Sequence, residues 1–366
     1  MKVLFDAQIF RQQRYGGISR YFCELATGLA RDPSVTPRIL APHHRNEYLA
    51  GVPDPVVIGW HQKHWKRLGK LSRALARVVE RRTTARLAPD VIHETYYWGP
   101  LVQHPKALKV LTVYDMIHER FPERFDAGDR TAEAKRSAVA RADHVICISH
   151  STKRDLLERL PVAESKVSVI HLSSSLAPPP EPPQAGGAPY LLYVGDRGGY
   201  KNFGLLVEAV GASAALRGFD IACFGGGELS AAEWAAIDRA GIARERIVQQ
   251  QGDDAALARL YAGAFCFVYP SLYEGFGIPP LEAMHCDCPV VCSNTSSIPE
   301  VVGDAAETFD PAEAGSLRAA LEALAASPAR REQLRALGRE QRRRFSWEAC
   351  ARETLALYRR LGAPHA

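Results

Sequence analysis

No run of about 18 apolar residues occurs in the chain, which excludes a transmembrane helix by the usual length criterion. The opening stretch lacks an apolar core too. Asp6 interrupts MKVLFDAQIF, so these residues are not expected to act as a secretory signal. Excess charge of one sign is small. The 46 Lys and Arg against 41 Asp and Glu leave +5, too little by itself to mark a nucleic-acid binder. Cysteine is present without pattern. Cys23, Cys147, Cys223, Cys266, Cys286, Cys288, Cys292 and Cys350 are scattered, several of them in apolar runs. That excludes a disulfide framework and reads as reduced, buried thiols in a cytoplasmic protein. Cys286, Cys288 and Cys292 do not have zinc spacing, and Cys288 and Cys292 flank the strand-like PVV, so they read as structural. No repeat of about 20–50 residues is visible. With 46% hydrophobic and 24% charged residues, collagen-like, coiled-coil and globally disordered chains are excluded.

What is present divides in two. A length of 366 residues suggests roughly two domains. The stretch Ser173 to Pro189, with PPPEPP at its centre, cannot continue a helix or an interior strand and reads as a semi-stiff linker. In the first half, Lys2–Phe5, Asp90–His93, Lys109–Val113, His144–Ile148 and Lys166–Ile170 read as buried strands. In the second, Tyr190–Val194, Phe219–Phe224, Ala264–Tyr269 and Pro289–Ser293 do so. Helical patterns such as Asn202–Leu216 and Asp254–Ala262 separate them. Apolar strands alternating with helices predict parallel sheets covered on both faces, hence two doubly wound α/β domains. Ligands in such folds bind outside the strand carboxyl ends, which predicts a site in a cleft between the domains. The domains are expected at 1–172 and 190–345. Pro311 to Leu361 reads as helical, with Pro311 at a first helical position. A restart at Ser346 as N-cap gives a last helix over about 346–366 that packs back on the first domain.

The stretch Pro270 to Met284, PSLYEGFGIPPLEAM, is the most informative. It follows a buried strand, so it lies at a carboxyl end. Gly275 and Gly277 let backbone approach a ligand, and Pro279 and Pro280 suit a helix start. The free N–H groups and dipole of that start make an anion site. Glu274 falls in the loop and Glu282 about a turn into the helix, so both can face one site. Arg197 and Lys201 follow the strand Tyr190–Val194 and a Gly195 turn, which places two cations at another carboxyl end.

Together with GGISRY (Gly16–Tyr21), TVYDMIHERFP (Thr112–Pro122), ADHVICISHSTKRDL (Ala142–Leu156), LYVGDRGGYKNF (Leu192–Phe203) and NTSSIPEVVGDAA (Asn294–Ala306), this stretch resembles the family 4 retaining glycosyltransferases of GT-B fold, over nearly the whole chain. The resemblance implies two Rossmann-like domains facing each other across a cleft, the first on the acceptor side and the second binding the nucleotide sugar. It implies that Arg197 and Lys201 hold the donor diphosphate, without a metal or other cofactor. Glu282 would bind the ribose, and Glu274 would contact the transferred sugar. The backbone N–H groups of Phe276, Gly277 and Ile278 would hold sugar hydroxyls or phosphate, and Gly16 and Gly17 would form a loop closing over the phosphates. The chain departs from the family pattern twice. Asp196 stands where relatives often place the Arg, which here comes one residue later. Tyr114 stands where relatives often have His, before Asp115, and offers a hydroxyl with no titration near neutral pH. His118 lies three residues beyond Asp115 and is a further candidate, as a catalytic or as a structural histidine.

Lys63, Lys66, Arg67, Lys70, Arg73, Arg77, Arg81, Arg82 and Arg86 stand against a lone Glu80, with Trp65, Leu68, Leu71, Leu75, Val78 and Val79 at helical spacing. Residues 61–86 thus read as a basic amphipathic helix, either on an anionic membrane surface or on its own domain core. Nucleic acid is not favoured, because no aromatic stacking series accompanies the charge. The mannosyltransferase-like look of YDMIHE and GDRGGYKNF makes GDP-mannose the first donor, with a UDP- or dTDP-sugar open. The acceptor is a saccharide or polyprenyl-diphosphate-linked saccharide, in surface polysaccharide or lipopolysaccharide O-chain assembly, for a cytoplasmic enzyme at the inner face of the plasma membrane. A nucleotide-sugar 2-epimerase and a non-catalytic nucleotide-sugar binder are the alternatives. A dinucleotide oxidoreductase is disfavoured because Gly225-Gly226-Gly227 lacks the Gly-x-Gly-x-x-Gly spacing.

Overall fold

Thirteen parallel strands build two separate sheets in the computed structural model, which describes residues 1–61, 69–99, 102–181 and 187–362, with side chains of the helix Gly69–Leu87 from residue 76 onward. Two compact units result, residues 1–172 together with 346–366, and residues 173–345. Part of the proline-rich stretch, residues 182–186, lies outside the described residues. Ser173 at its start is buried and donates from Oγ to the Phe345 carbonyl.

The first unit holds β1 (Lys2–Phe5), β2 (Thr36–His44), β3 (Val57–His61), β4 (Val91–Glu94), β5 (Leu108–Val113), β6 (His144–Cys147) and β7 (Val167–Val169), in the order β3-β2-β1-β4-β5-β6-β7. The second holds β8 (Tyr190–Val194), β9 (Asp220–Phe224), β10 (Ile247–Gln250), β11 (Cys266–Tyr269), β12 (Val290–Ser293) and β13 (Ala306–Phe309), in the order β10-β9-β8-β11-β12-β13. Both orders reverse once, between β1 and β4 and between β8 and β11. Those reversals leave a crevice at the carboxyl ends of the central strands, since the connections diverge there.

Central strands β4, β6, β11 and β12 are buried at every position. Their continuous apolar runs can be read from sequence, because helices cover both faces. The edge strands β3, β10 and β13 keep half-exposed positions and present no continuous run, so periodicity does not reveal them. Strand β2 is hidden for another reason. It carries Pro37 and Pro42, and its register with β3 shifts between Ala41 and His44. The helix predicted over 202–216 is Phe203–Gly211, and the C-terminal helices begin at Ala314 rather than at Pro311. Ser346 does cap the last helix, Trp347–Gly362, accepting from the Ala349 N–H at 3.0 Å. That helix packs on the helix Gly17–Leu29, closely enough that a Cβ on Gly28 would lie 2.6 Å from the Ala351 Cβ.

All eight cysteines are free and buried. Among the described residues, no helix is long and apolar enough to cross a membrane. Residues 62–68 of the basic stretch lie outside the described residues. In the helix Gly69–Leu87, Ala76, Glu80 and Thr84 face inward, and Glu80 pairs with Arg11 at 2.5 Å. Val78, expected on the apolar face, is instead 47% exposed, because it lies on the opposite side of the 3.6-residue turn.

The core of the first unit contains a neutral polar chain. His93 on β4 bonds the Tyr358 hydroxyl at 2.6 Å and the Thr112 hydroxyl at 2.8 Å. Burial pushes its pKa from 6.5 down to about 3. Between those values the unfolded chain binds a proton that the folded chain refuses. Stability should therefore fall as pH drops through 6.5 toward about 3, by up to about 1.4 kcal/mol per pH unit. His93→Gln should flatten the pH dependence of the denaturation midpoint between pH 6.5 and 5 relative to the parent. An unchanged slope would show that this imidazole is not the acid-sensitive group.

Candidate active site

The turn after β8 and the loop after β11 meet at the reversal of the second sheet. Glycine Gly195, at φ 111°, turns the chain out of β8. The Tyr193 hydroxyl donates to the Asp196 carbonyl at 2.6 Å and so secures the turn from below. Asn202, left-handed at φ 58°, ends the turn and donates from its side chain to the Pro311 carbonyl. A Leu272 N–H donates to the Tyr200 carbonyl at 2.8 Å and fastens this turn to the next loop. These contacts bring Lys201 and Glu274, 73 residues apart, into an ion pair of 2.8 Å. Burial opposes the charge on Lys201. The Glu274 carboxylate, together with Tyr200 and Asp196, outweighs it and holds the ammonium above its usual pKa. The ammonium also lies 5.2 Å from the Tyr200 ring centre and 5.7 Å from that of Tyr269.

Glu274 is held from the other side by the segment after β12. Ser296 accepts the Glu274 N–H at 2.9 Å, while Ser297 donates to the carbonyls of Glu274 and Phe276. Gly275 and Phe276 are buried, and Phe276 meets Phe345 edge-on. Gly277 is the N-cap of the helix Ile278–His285 at φ 113°, a conformation that only glycine adopts without strain. With no side-chain cap, that helix end presents the Ile278 N–H and the positive end of its dipole, while Pro279 and Pro280 carry no N–H. Glu282 stands one turn in and accepts from the buried Tyr261 hydroxyl at 3.3 Å. The loop and helix thus carry Glu274, Gly275, Phe276, Gly277, Ile278 and Glu282 beside Lys201.

Arg197 takes a different position. Its side chain is 2% exposed and makes all its hydrogen bonds inside the unit, to Glu233 and to the carbonyls of Gly225, Gly226, Gly227 and Glu228. A sequence pattern cannot anticipate this, because the partners belong to a loop 28 to 31 residues away.

The remaining candidates belong to the first unit. The Tyr114 hydroxyl donates to the Thr95 carbonyl at 2.9 Å, within an aromatic group that includes Tyr21, Tyr96 and Tyr97. Asp115 accepts the Ile117 N–H and lies 3.6 Å from Lys135, a fully buried ammonium that donates to Glu119 and to the Asp115 carbonyl. Lys135 sits in the helix Thr131–Arg141, and its acidic partners come from segments outside that helix. His118 stacks on Phe125 at 4.0 Å and lies 3.7 Å from Asp129, and burial lowers its pKa. Gly16 caps the helix Gly17–Leu29, where a Cβ would strike the Gln13 side chain at 2.4 Å. A short helix, Gln8–Gln12, precedes it, and Gly17 is the first residue of the second helix. At the reversal of this sheet Asp6 accepts from the hydroxyl and N–H of Thr95 and from the side chain and N–H of Gln8. Burial still raises its pKa.

Residues 15–173 match the family model described as Glycosyltransferase Family 4, and residues 179–341 match Glycosyl transferases group 1. The chain is 44% identical over 130 residues to the O-antigen chain mannosyltransferase B of Escherichia coli, covering 35% of this chain and 34% of that protein. It therefore spans about a third of that relative's length. It is 27% identical to alpha-maltose-1-phosphate synthase of Mycobacterium tuberculosis over 99% of this chain and 100% of that one. The sucrose-phosphate synthase structure from Thermosynechococcus elongatus superposes with a TM-score of 0.75 at 20% identity, over 98% of each chain, a likeness of fold.

Lys201→Met should leave the Glu274 carboxylate without its cation and destabilise the second unit by about 1–3 kcal/mol. The double variant with Glu274→Gln should cost less than the two single costs summed, in denaturant unfolding. Strictly additive costs would mean that the pair contributes nothing. Because the Lys201 pKa in the fold lies above 10.5, the contribution spans neutral pH and should disappear as pH rises past 10.5 through the folded value.

Proposed function

The chain belongs to the family 4 glycosyltransferases, and from that premise we propose that it moves a sugar from a nucleotide diphosphate sugar to a saccharide hydroxyl with retention of anomeric configuration. The Lys201–Glu274 pair, set at the carboxyl ends of β8 and β11, carries the proposal. Breaking the bond between the sugar's anomeric carbon and the diphosphate leaves negative charge on the phosphate oxygen. Lys201 and the N-terminus of the helix Ile278–His285 offer fixed positive charge to receive it, so the reaction as proposed needs no metal. Glu274, already an acceptor for Lys201, takes a hydroxyl of the transferred sugar, and Glu282 takes the ribose. The departing phosphate oxygen accepts the acceptor hydroxyl's proton while the new carbon–oxygen bond forms on the same face.

Mannose from GDP-mannose is the donor proposed first, supported by the mannosyltransferase relative. The acceptor is a saccharide or a polyprenyl-diphosphate-linked saccharide. Contact with an anionic membrane at the inner face of the plasma membrane is proposed through the helix Gly69–Leu87, whose Arg77, Arg81, Arg82 and Arg86 are exposed around Val78.

A thermal-shift panel of GDP, UDP, dTDP and ADP, with and without EDTA, tests the donor site. GDP should raise the unfolding temperature, EDTA should leave the shift unchanged, and Lys201→Ala or Glu282→Ala should remove it. A shift with UDP or dTDP instead would reassign the donor, and no shift with any nucleotide would sink the reading. Vesicles containing phosphatidylglycerol should sediment the protein at low salt. The Arg77, Arg81, Arg82 and Arg86 to Glu variant should stay in the supernatant, as should the parent with phosphatidylcholine alone. Equal sedimentation of parent and variant would exclude this helix as the contact.

A further inference from the structure

The three glycines that fail the dinucleotide pattern acquire a purpose from Arg197. Gly225, Gly226 and Gly227 follow β9 with φ of 83°, 69° and 69°. Four successive carbonyls, from Gly225 to Glu228, accept from the Arg197 guanidinium at 2.9 to 3.1 Å. A trans peptide holds its N–H opposite its C=O. Carbonyls turned toward the guanidinium therefore leave the N–H groups of Gly226, Gly227, Glu228 and Leu229 facing away from it. Among the described residues no protein group accepts from these four. Successive backbone N–H groups on one side of a positive-φ turn form an anion-binding concavity, here with a fixed cation behind it that further polarises each peptide. The loop also borders the Gly195 turn that leads to Lys201, for a Cβ on Gly226 would lie 2.8 Å from the Gly195 carbonyl oxygen. Glu233 completes the support. Burial would raise its carboxyl, but Ser230 and Arg197 outweigh that and hold it ionised below its usual pKa, so the guanidinium keeps a counter-ion.

We propose that Arg197 acts as a positioning residue rather than a ligand of the diphosphate, holding the 225–228 loop so that its outward N–H groups receive the anionic diphosphate of the donor. This rests on the donor-site reading above. It assigns the two cations of one turn separate tasks. Lys201 faces the ligand, while Arg197 works from behind the loop. Lysine cannot replace arginine there, because a single ammonium lacks the planar fork that reaches four carbonyls and a carboxylate.

Hydrogen–deuterium exchange read by mass spectrometry tests it, with GDP, UDP and dTDP each at saturating concentration. In the parent, the bound nucleotide should slow exchange of the Gly226–Leu229 amides by about tenfold or more, alongside protection of segments 199–203 and 274–279. Arg197→Lys should lose the 226–229 protection and bind nucleotide about tenfold more weakly or worse. Gly226→Ala should do the same, since its Cβ has no room, and the two losses should not add. Protection at 199–203 and 274–279 without any at 226–229 overturns the loop's role and leaves the donor site standing. So does parent-like binding by Arg197→Lys. No protection anywhere, with any nucleotide, removes the donor-site reading and the loop assignment with it. The parent measurement decides the matter even where a variant does not fold.

Discussion

A sheet whose strands all run one way cannot be closed by hairpins. Every strand must be followed by a crossover that returns the chain to the starting edge, and the crossover helices then cover both faces. This constraint places all carboxyl ends of a sheet on one side and all amino ends on the other. Where the strand order reverses, neighbouring crossovers depart in opposite directions, and a gap opens that no helix fills. In the second unit β8 and β11 flank that gap, and the loops that follow them carry the charged residues of the candidate site. In the first unit β1 and β4 flank the equivalent gap, filled by Asp6 and its four hydrogen bonds from Gln8 and Thr95. One gap is packed with a satisfied carboxyl, while the other is lined by a loop–helix junction whose helix start lacks a side-chain cap.

The charges at the second gap are balanced before any ligand arrives. Lys201 is half-buried and would be costly to keep ionised without Glu274. Arg197 is more deeply buried and has a carboxylate and four carbonyls as partners. An arginine so fully engaged resists exchange for a ligand, because any oxygen it gained would replace one it already holds. The lysine has a single strong partner, and an incoming anion can compete for it. The difference in partner number between two cations four residues apart is therefore a difference in what each can do.

Much of the fold and part of the site are legible from sequence. Continuous apolar runs reveal the central strands because burial on both faces leaves no room for polar residues there. Edge strands β3, β10 and β13 escape notice because one side of each is wet. The loop–helix junction from Glu274 to Glu282 is legible because its requirements are local. Glycine is needed for φ 113° at Gly277, proline is tolerated where helical N–H groups are idle, and both fall within nine residues. The helix facing is less legible. Val78 reads as core by spacing, yet the fold turns Glu80 inward, because Arg11 from another element waits there to neutralise it.

The sequence by itself thus determined the α/β class, the division near residue 173, the loop and helix that bear Glu274 and Glu282, and the presence of two cations after β8. These follow from period, turn chemistry and burial, which act over a few neighbouring residues. Only the tertiary structure decided which cation meets Glu274 and which one disappears beneath the glycine loop. It alone buried Lys135 against Asp115 and Glu119, and it placed the Tyr114 hydroxyl on the Thr95 carbonyl. The physical reason is the same in each case. A charge or hydroxyl taken out of water must find a partner, and that partner lies on a segment far along the chain, brought near only by the folded sheets.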